Sequence, residues 1–223
     1  MFVPFSFFST QLPPVPKPTG SYFFDSSSLL SWPSSTTGYT LYTGGFTSVD
    51  DGYTTSPIPS ISSFVMNQTS SNQIYVSTNG YITLGAGRGN ISNGPEIITG
   101  YATIAGNPGD LWLNAGGLVN DDGDTQNLYY LSGSLVDNKS YIKFIIYSGV
   151  FEAETTPSSY LLNLYIDNLY QWIETRVKSN AFGTTGPYNS PSVAQPSSTL
   201  SKVWRGDLAG QNWVYLGTGS VYS

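Results

Sequence analysis

From about residue 38 onward, apolar residues recur at every second position in short runs broken by Gly, Asn, Asp, Ser and Pro. Side chains alternate between the two faces of an extended chain, so this period buries one face of a strand and gives no continuous helical stripe. The clearest instance is Gln73-Ile74-Tyr75-Val76-Ser77, the turn residues Thr78-Asn79-Gly80, and Tyr81-Ile82-Thr83-Leu84, which reads as strand, Asn-Gly turn and strand. A second pair runs from Tyr160 to Ile166 and from Leu169 to Val177 about a tight turn at Asp167-Asn168. That turn pairs Ile166 with Leu169, Leu164 with Gln171 and Leu162 with Ile173, a mostly apolar face. The opposite face carries Asn163, Tyr165, Tyr170, Trp172, Glu174 and Arg176 and is expected to be the wetter outside of the sheet.

Further strands are expected at 39–43, 61–66, 97–104, 111–114, 128–131, 141–147, 203–205 and 213–216. Tyr75, Phe144 and some of the tryptophans are expected in the core. The one stretch that can be forced onto a helical period, 158–174, has Tyr, Leu, Ile, Trp and Val alternating across an Asp-Asn turn and favours strands. About ten short strands with frequent turn signals give an all-β fold, an antiparallel sandwich or jelly roll. No internal repeat supports a solenoid or propeller. Residues 179–201, with Gly183, Gly186, Pro187, Pro191 and Pro196, read as a long ordered loop or linker rather than a strand pair.

The chain divides into an arm and spacer at 1–20, a sandwich at 21–178, and a loop with C-terminal strands at 179–223 that pack on the sandwich or on a neighbouring subunit. The arm carries Phe2, Val3, Phe5, Phe7, Phe8 and Leu12, and Pro13-Pro14-Val15-Pro16-Lys17-Pro18 forms a stiff polyproline-like spacer. It lacks the basic start and small-residue cleavage site of a signal peptide, and Pro4 interrupts its apolar run. The arm is therefore expected to be retained from Met1 and held in order by docking, either over its own domain or on a neighbouring chain.

The chain has no Cys and no His. Disulfides, thiolate nucleophiles, structural zinc and imidazole bases are thereby excluded. A net charge of −6 with only 8 scattered Lys and Arg argues against nucleic acid and anionic membrane as partners. Only 10% of residues are charged while 15% are aromatic, and this aromatic content does not suit a disordered chain. The surface must then be built from Ser, Thr, Asn, Gly and Tyr.

Several motifs invite chemistry. Asn120-Asp121-Asp122-Gly123-Asp124 gathers three carboxylates, but position 131 is Leu131 where a calcium loop would place its Glu, so Asp121, Asp122 and Asp124 read first as an Asp-Gly turn. Asp50-Asp51-Gly52 reads the same way. Glu152 and Glu154 would share one face of a strand and could serve as paired glycosidase carboxylates in a cleft, or lie on a solvated loop. Gly85-Ala86-Gly87-Arg88-Gly89 lacks the Lys-Ser/Thr ending and following helix of a phosphate cradle. Arg205-Gly206-Asp207 is a short integrin-type tripeptide placed where a turn is expected. The sequons at Asn67, Asn90 and Asn138 matter only in a secreted eukaryotic chain. The aromatic surplus suits protein interfaces or sugar stacking, with Trp172, Trp204 and Trp213 as candidate interface or glycan-stacking rings and the arm as a partner-binding element. No catalytic residue, metal or cofactor is expected.

Asp50-Asp51-Gly52-Tyr53 with Pro57, Ile58 and Phe64, followed by Val76-Ser77-Thr78-Asn79-Gly80-Tyr81-Ile82-Thr83-Leu84, resembles the opening of a nidogen-like β-sandwich module. Such modules occur in bacterial surface proteins and in bacteriophage structural proteins. Tyr129-Tyr130, the 141–147 strand and the 161–177 pair extend the resemblance over roughly residues 38–178. The usual Phe-x-Phe-Tyr-Gly strand is replaced here by Ile61-Ser62-Ser63-Phe64-Val65, and the acidic Trp segment is echoed by Asp110-Leu111-Trp112. The resemblance implies a non-enzymatic virion protein, a capsid decoration or a tail or fibre component. It would be anchored by the arm to other virion proteins, with symmetric copies in contact. An alternative reading is an adhesin that binds a host-surface glycan.

Overall fold

The computed structural model of the chain describes residues 20–89, 102–188 and 193–223. The arm residues Phe2, Val3, Phe5, Phe7, Phe8 and Leu12, the sequon at Asn90 and the start of the strand expected at 97–104 lie outside those residues. Eighteen strands are present among the described residues, and no helix. In chain order they begin with β1 (Phe23–Asp25), β2 (Thr40–Leu41), β3 (Ile58–Met66), β4 (Thr69–Val76), β5 (Tyr81–Leu84) and β6 (Thr103–Ala105). Next come β7 (Leu111–Trp112), β8 (Asn127–Ser134), β9 (Ser140–Tyr147), β10 (Gly149–Val150), β11 (Ala153–Pro157) and β12 (Tyr160–Ile166). The chain closes with β13 (Tyr170–Val177), β14 (Thr184–Pro187), β15 (Gln195–Pro196), β16 (Lys202–Asp207), β17 (Val214–Thr218) and β18 (Ser220–Tyr222).

The fold is an antiparallel β-sandwich. A seven-stranded sheet of order β17-β16-β13-β12-β9-β8-β2 faces a six-stranded sheet of order β15-β14-β6-β5-β4-β3. Their inner faces supply one core, with Ile58, Phe64, Ile74, Ile82 and Ile104 from the smaller sheet against Leu128, Phe144, Leu162, Ile173 and Trp204 from the larger. The period-two alternation produces this arrangement, since every second residue of β9 (Ile142, Phe144, Ile146) points inward. A three-stranded sheet of order β11-β10-β7 and a two-stranded ribbon, β1-β18, complete the molecule.

Three expectations change. The β12–β13 hairpin turns one residue later than the sequence suggests, with Ile166 opposite Gln171, Leu164 opposite Ile173 and Leu162 opposite Thr175. The cause is Asp167: its Oδ1 accepts from the Leu169 and Tyr170 amides at 2.7 and 2.8 Å and moves the turn onto Asn168-Leu169. Each partner moves by two residues, so the face assignment survives. The 179–201 segment contains a strand pair after all: β14 pairs with β15 and with β6 and enters the smaller sheet. Tyr75 is only half-buried and packs edge-on against Tyr53, whereas Phe144 is fully buried.

Candidate functional site

The outer face of the seven-stranded sheet departs furthest from what the sequence suggests. Asn163, Tyr165, Trp172 and Glu174, expected to be wet, are all buried, and Glu174 is completely so. Residues 21–25 and β18 lie across them as the β1–β18 ribbon, and Tyr22, Tyr165, Trp172 and Val203 form a second, smaller core. Asp167 fixes the start of the ribbon: its Oδ2 accepts from the Tyr22 amide at 2.8 Å and from the Trp172 indole at 3.2 Å. Glu174 holds the other strand. One carboxylate oxygen accepts from the Tyr165 hydroxyl at 2.6 Å and from Asn163 at 2.9 Å, and the other accepts from the Val221 amide at 3.0 Å. Burial raises the Glu174 pKa above the ordinary carboxylate value, although these hydrogen bonds and the Lys143 charge oppose the shift.

The ribbon leaves a cleft on each side. One, of about 340 Å³, is walled by Tyr22, Phe24, Leu169, Tyr170 and Leu216, with Trp172 and Arg205 also lining it. The Arg205 guanidinium lies 4.4 Å from the Tyr170 ring centre and 5.8 Å from that of Trp172. The other cleft, of about 390 Å³, is lined by Tyr141, Lys143, Tyr165, Val221 and Tyr222 among others, with the Lys143 ammonium 5.2 Å from the Tyr141 ring centre.

At one end of this sheet three hairpin turns lie side by side, because Ser140 pairs with Ile166 and Tyr170 with Asp207. Each turn presents an exposed aliphatic side chain: Val136 is 77% exposed, Leu169 56% and Leu208 42%. Gly20, where the chain joins the body from the arm, sits between two of these turns. Its φ is +88°, and an added Cβ would meet Asp137 at 3.2 Å and Asn168 at 3.6 Å. The turns' apolar residues were visible in the sequence as aliphatics at positions usually polar, but only the register gathers them at one end.

The candidate aromatics change role. Trp172, Trp204 and Trp213 are 3, 0 and 6% exposed, so none offers a free ring face to a sugar or a partner. The Trp204 indole donates to the Val193 carbonyl at 2.8 Å and that of Trp213 to Gly210 at 3.1 Å, which satisfies the polar edge of each buried ring. Arg205-Gly206-Asp207 is the end of β16 rather than a turn, with Arg205 stacked on Tyr170 and a Gly206 Cβ position 2.6 Å from the Trp213 ring. Glu152 and Glu154 do not share a strand face: Glu152 occupies the β10–β11 turn at φ +62°, and only Glu154 lies in β11. Gly85–Gly89 is the exit of the β4–β5 hairpin, where the Ala86 and Arg88 carbonyls accept from Thr83 and Tyr81. Asn67 and Asn138 sit in turns at φ +48° and +60°.

The acidic turn already has its cation. The Lys178 ammonium lies 2.6 Å from Asp124 and 3.3 Å from Asp122, while the Asn120 side chain accepts from the Asp124 amide at 3.0 Å. Asp122 and Asp124 therefore belong to a lysine-bridged turn, in which the Asp121 amide donates to the Thr155 carbonyl at 2.7 Å. Among the described residues no group of three acidic side chains is placed to hold a metal ion. Burial works to lower the Lys178 pKa, but the hydrogen bonds and charges of Asp124 and Asp122 outweigh it and the net shift is upward. The contribution of the lysine charge is thus complete at neutral pH and is lost as pH rises past the lysine range. Lys178→Met is expected to cost about 0.5–1 kcal/mol at neutral pH in low salt, less in high salt because the pair is partly exposed. Denaturant titrations at two ionic strengths measure this; a loss independent of salt would point to packing instead.

Comparison with known protein families, curated proteins and solved structures found no match for this chain.

Proposed function

We propose that the chain is a non-enzymatic structural protein of a phage or virus particle, a surface decoration or a tail or fibre component, anchored to neighbouring virion proteins by its apolar N-terminal arm. The observation that carries this reading is the coincidence at one end of the sandwich of Gly20, the junction with the arm, and the exposed Val136, Leu169 and Leu208. Scattered surface aliphatics need no explanation, but three on adjacent turns, next to the Gly20 from which the arm departs, suit a docking end. The composition agrees with it: a surface of hydroxyls, amides and Tyr rings suits contact with identical neighbours, since interface cores are poor in charge. The pattern at residues 50–84 that resembles the opening of a nidogen-like module, read from the sequence alone, is in keeping with this reading. A glycan-binding role would have to use rings other than the three buried tryptophans.

The test is deletion of residues 1–18 in the encoding phage or virus, with the protein content of purified particles measured by mass spectrometry. The truncated chain is expected to fold and to fall to background in the particles. Incorporation at the level of the full chain would overturn the anchoring reading.

A further inference from the structure

Lys143, Asn163 and Glu174 stand in one row across three neighbouring strands. The registers pair Lys143 of β9 with Asn163 of β12, and Asn163 with Glu174 of β13. Directly opposed residues of an antiparallel pair share a face with Cβ atoms about 4.5–5.5 Å apart, a gap that the four-carbon stem of a lysine spans. The row lies on the outer face, because Ile142 and Phe144 take the inner one. The β1–β18 ribbon closes over it, so that Asn163 is buried and Glu174 completely so. Lys143 lines the second cleft beside the ribbon, its ammonium 5.2 Å from the Tyr141 ring centre and 5.7 Å from that of Tyr165. Among the described residues no carboxylate is in ion-pair contact with that ammonium.

An amine, a carboxamide and a carboxyl group in contact with the nitrogen that must leave are the parts needed for aminolysis of a side-chain amide. Asn163 Nδ2 donates to Glu174 Oε2 at 2.9 Å and to the Tyr165 hydroxyl at 3.3 Å, so the amide is held in one orientation. Holding the reacting groups side by side removes most of the entropic cost of their meeting, and closure to water keeps hydrolysis from competing. Burial raises the Glu174 pKa while the Lys143 charge opposes the rise, which fits a carboxyl that must take a proton and give it back. We propose that Lys143 and Asn163 become joined by an intramolecular amide bond that ties β9 to β12, with Glu174 as the proton carrier. Glu174 takes a proton from the Lys143 ammonium, and the freed Nζ lone pair adds to Asn163 Cγ. Glu174 then gives that proton to Nδ2 and removes one from the newly bonded Nζ. The Cγ–Nδ2 bond breaks, and ammonia leaves by the cleft, taking with it as ammonium the proton remaining on Glu174. The reaction needs no oxidant, reductant or co-reactant. The bond goes beyond the proposed function and does not depend on it.

The test is the mass of the full chain, unfolded before electrospray. The wild type is expected to be lighter than its sequence mass by one ammonia, about 17 Da. Cleavage by trypsin and then after glutamate should yield a branched peptide joining residues 140–152 to the fragment that contains Asn163. Lys143→Arg keeps the charge at a half-buried position, so it should fold with a cooperative thermal transition and show its full sequence mass. In Glu174→Gln the branched peptide is expected to fall about tenfold or more. A wild-type chain at its full sequence mass would overturn the proposal, and so would an ammonia loss that maps to a succinimide at Asn79-Gly80 instead of the branched peptide. An undiminished branched peptide in Glu174→Gln would overturn the role given to Glu174.

Discussion

Glu174→Ala is expected to release the C-terminal strand from the sandwich and to lower stability by about 3 kcal/mol. Glu174 is fully buried and accepts from three groups, the Tyr165 hydroxyl, the Asn163 amide and the Val221 backbone N–H. Alanine leaves all three donors in a site closed to water, and each unsatisfied buried donor costs about 1–3 kcal/mol, offset by no longer burying a carboxylate. Among the described residues β18 pairs only with β1, over three residue pairs, so the ribbon should open before the sandwich does. Hydrogen exchange reads this directly: the Val221 amide should lose protection in the variant while those of β12 and β9 keep theirs. Glu174→Gln retains an acceptor for Val221 and should cost less. The pH dependence has a definite sign. Burial raises the Glu174 pKa in the folded state, so its contribution is largest below the ordinary glutamate range and declines as pH rises through the raised value. Relative to the Gln variant, the wild type should therefore gain stability as pH falls from neutrality toward about 4.5. A difference that is flat over that range would remove Glu174 as a buried ionisable group.

The alternation of apolar residues was enough to place β4, β5, β9 and the β12–β13 pair, because a strand with one face in a core writes its period into the sequence. What covers the other face left no such trace. Asn163, Tyr165 and Glu174 look like solvated residues, and they are buried because they satisfy one another and Val221. The partners are supplied from the chain's two ends, and the Tyr22–Asp167 bond spans 145 residues. Tryptophan is similarly ambiguous, since one ring can stack on a ligand or fill a core with its N–H satisfied, as Trp204 does on Val193. β15 escaped notice because two residues ending in Pro196 carry no period and little strand propensity. The acidic turn was read correctly as a turn, but Lys178 lies 54 residues from Asp124, and only the fold brings them together.

The Asn79-Gly80 turn reads from the sequence as a plain hairpin turn, yet both residues are buried, and Gly80→Ala is expected to rank with the most damaging glycine-to-alanine changes among the described residues. The Asn79 side chain donates to Asp51 at 2.8 Å and to the Gly89 carbonyl at 3.1 Å, and accepts from the Leu111 amide at 3.2 Å. The Gly80 carbonyl accepts from the Gly106 and Asn107 amides at 2.9 and 3.0 Å, drawing the two backbones together. At φ +84°, a Cβ on Gly80 would lie 1.8 Å from the Asn107 carbonyl oxygen. Asn107 has little freedom to retreat: its side chain donates to Ser158 at 3.0 Å and to the Asn180 carbonyl at 3.2 Å, and accepts from the Phe182 amide at 2.7 Å. Gly85 supplies the control, with a φ of +80° and no atom nearer than 3.7 Å to an added Cβ. Both alanines suffer the left-handed backbone penalty of about 1 kcal/mol, but only the one at position 80 must also displace buried backbone. Gly80→Ala should therefore cost about 4 kcal/mol or more and yield little soluble protein, against about 1 kcal/mol for Gly85→Ala, both read from denaturant midpoints or soluble yield. Equal losses at the two positions would mean that the turn yields as an exposed hairpin tip does, and that the approach of Gly80 to Asn107 contributes nothing to holding β5 and β6 together.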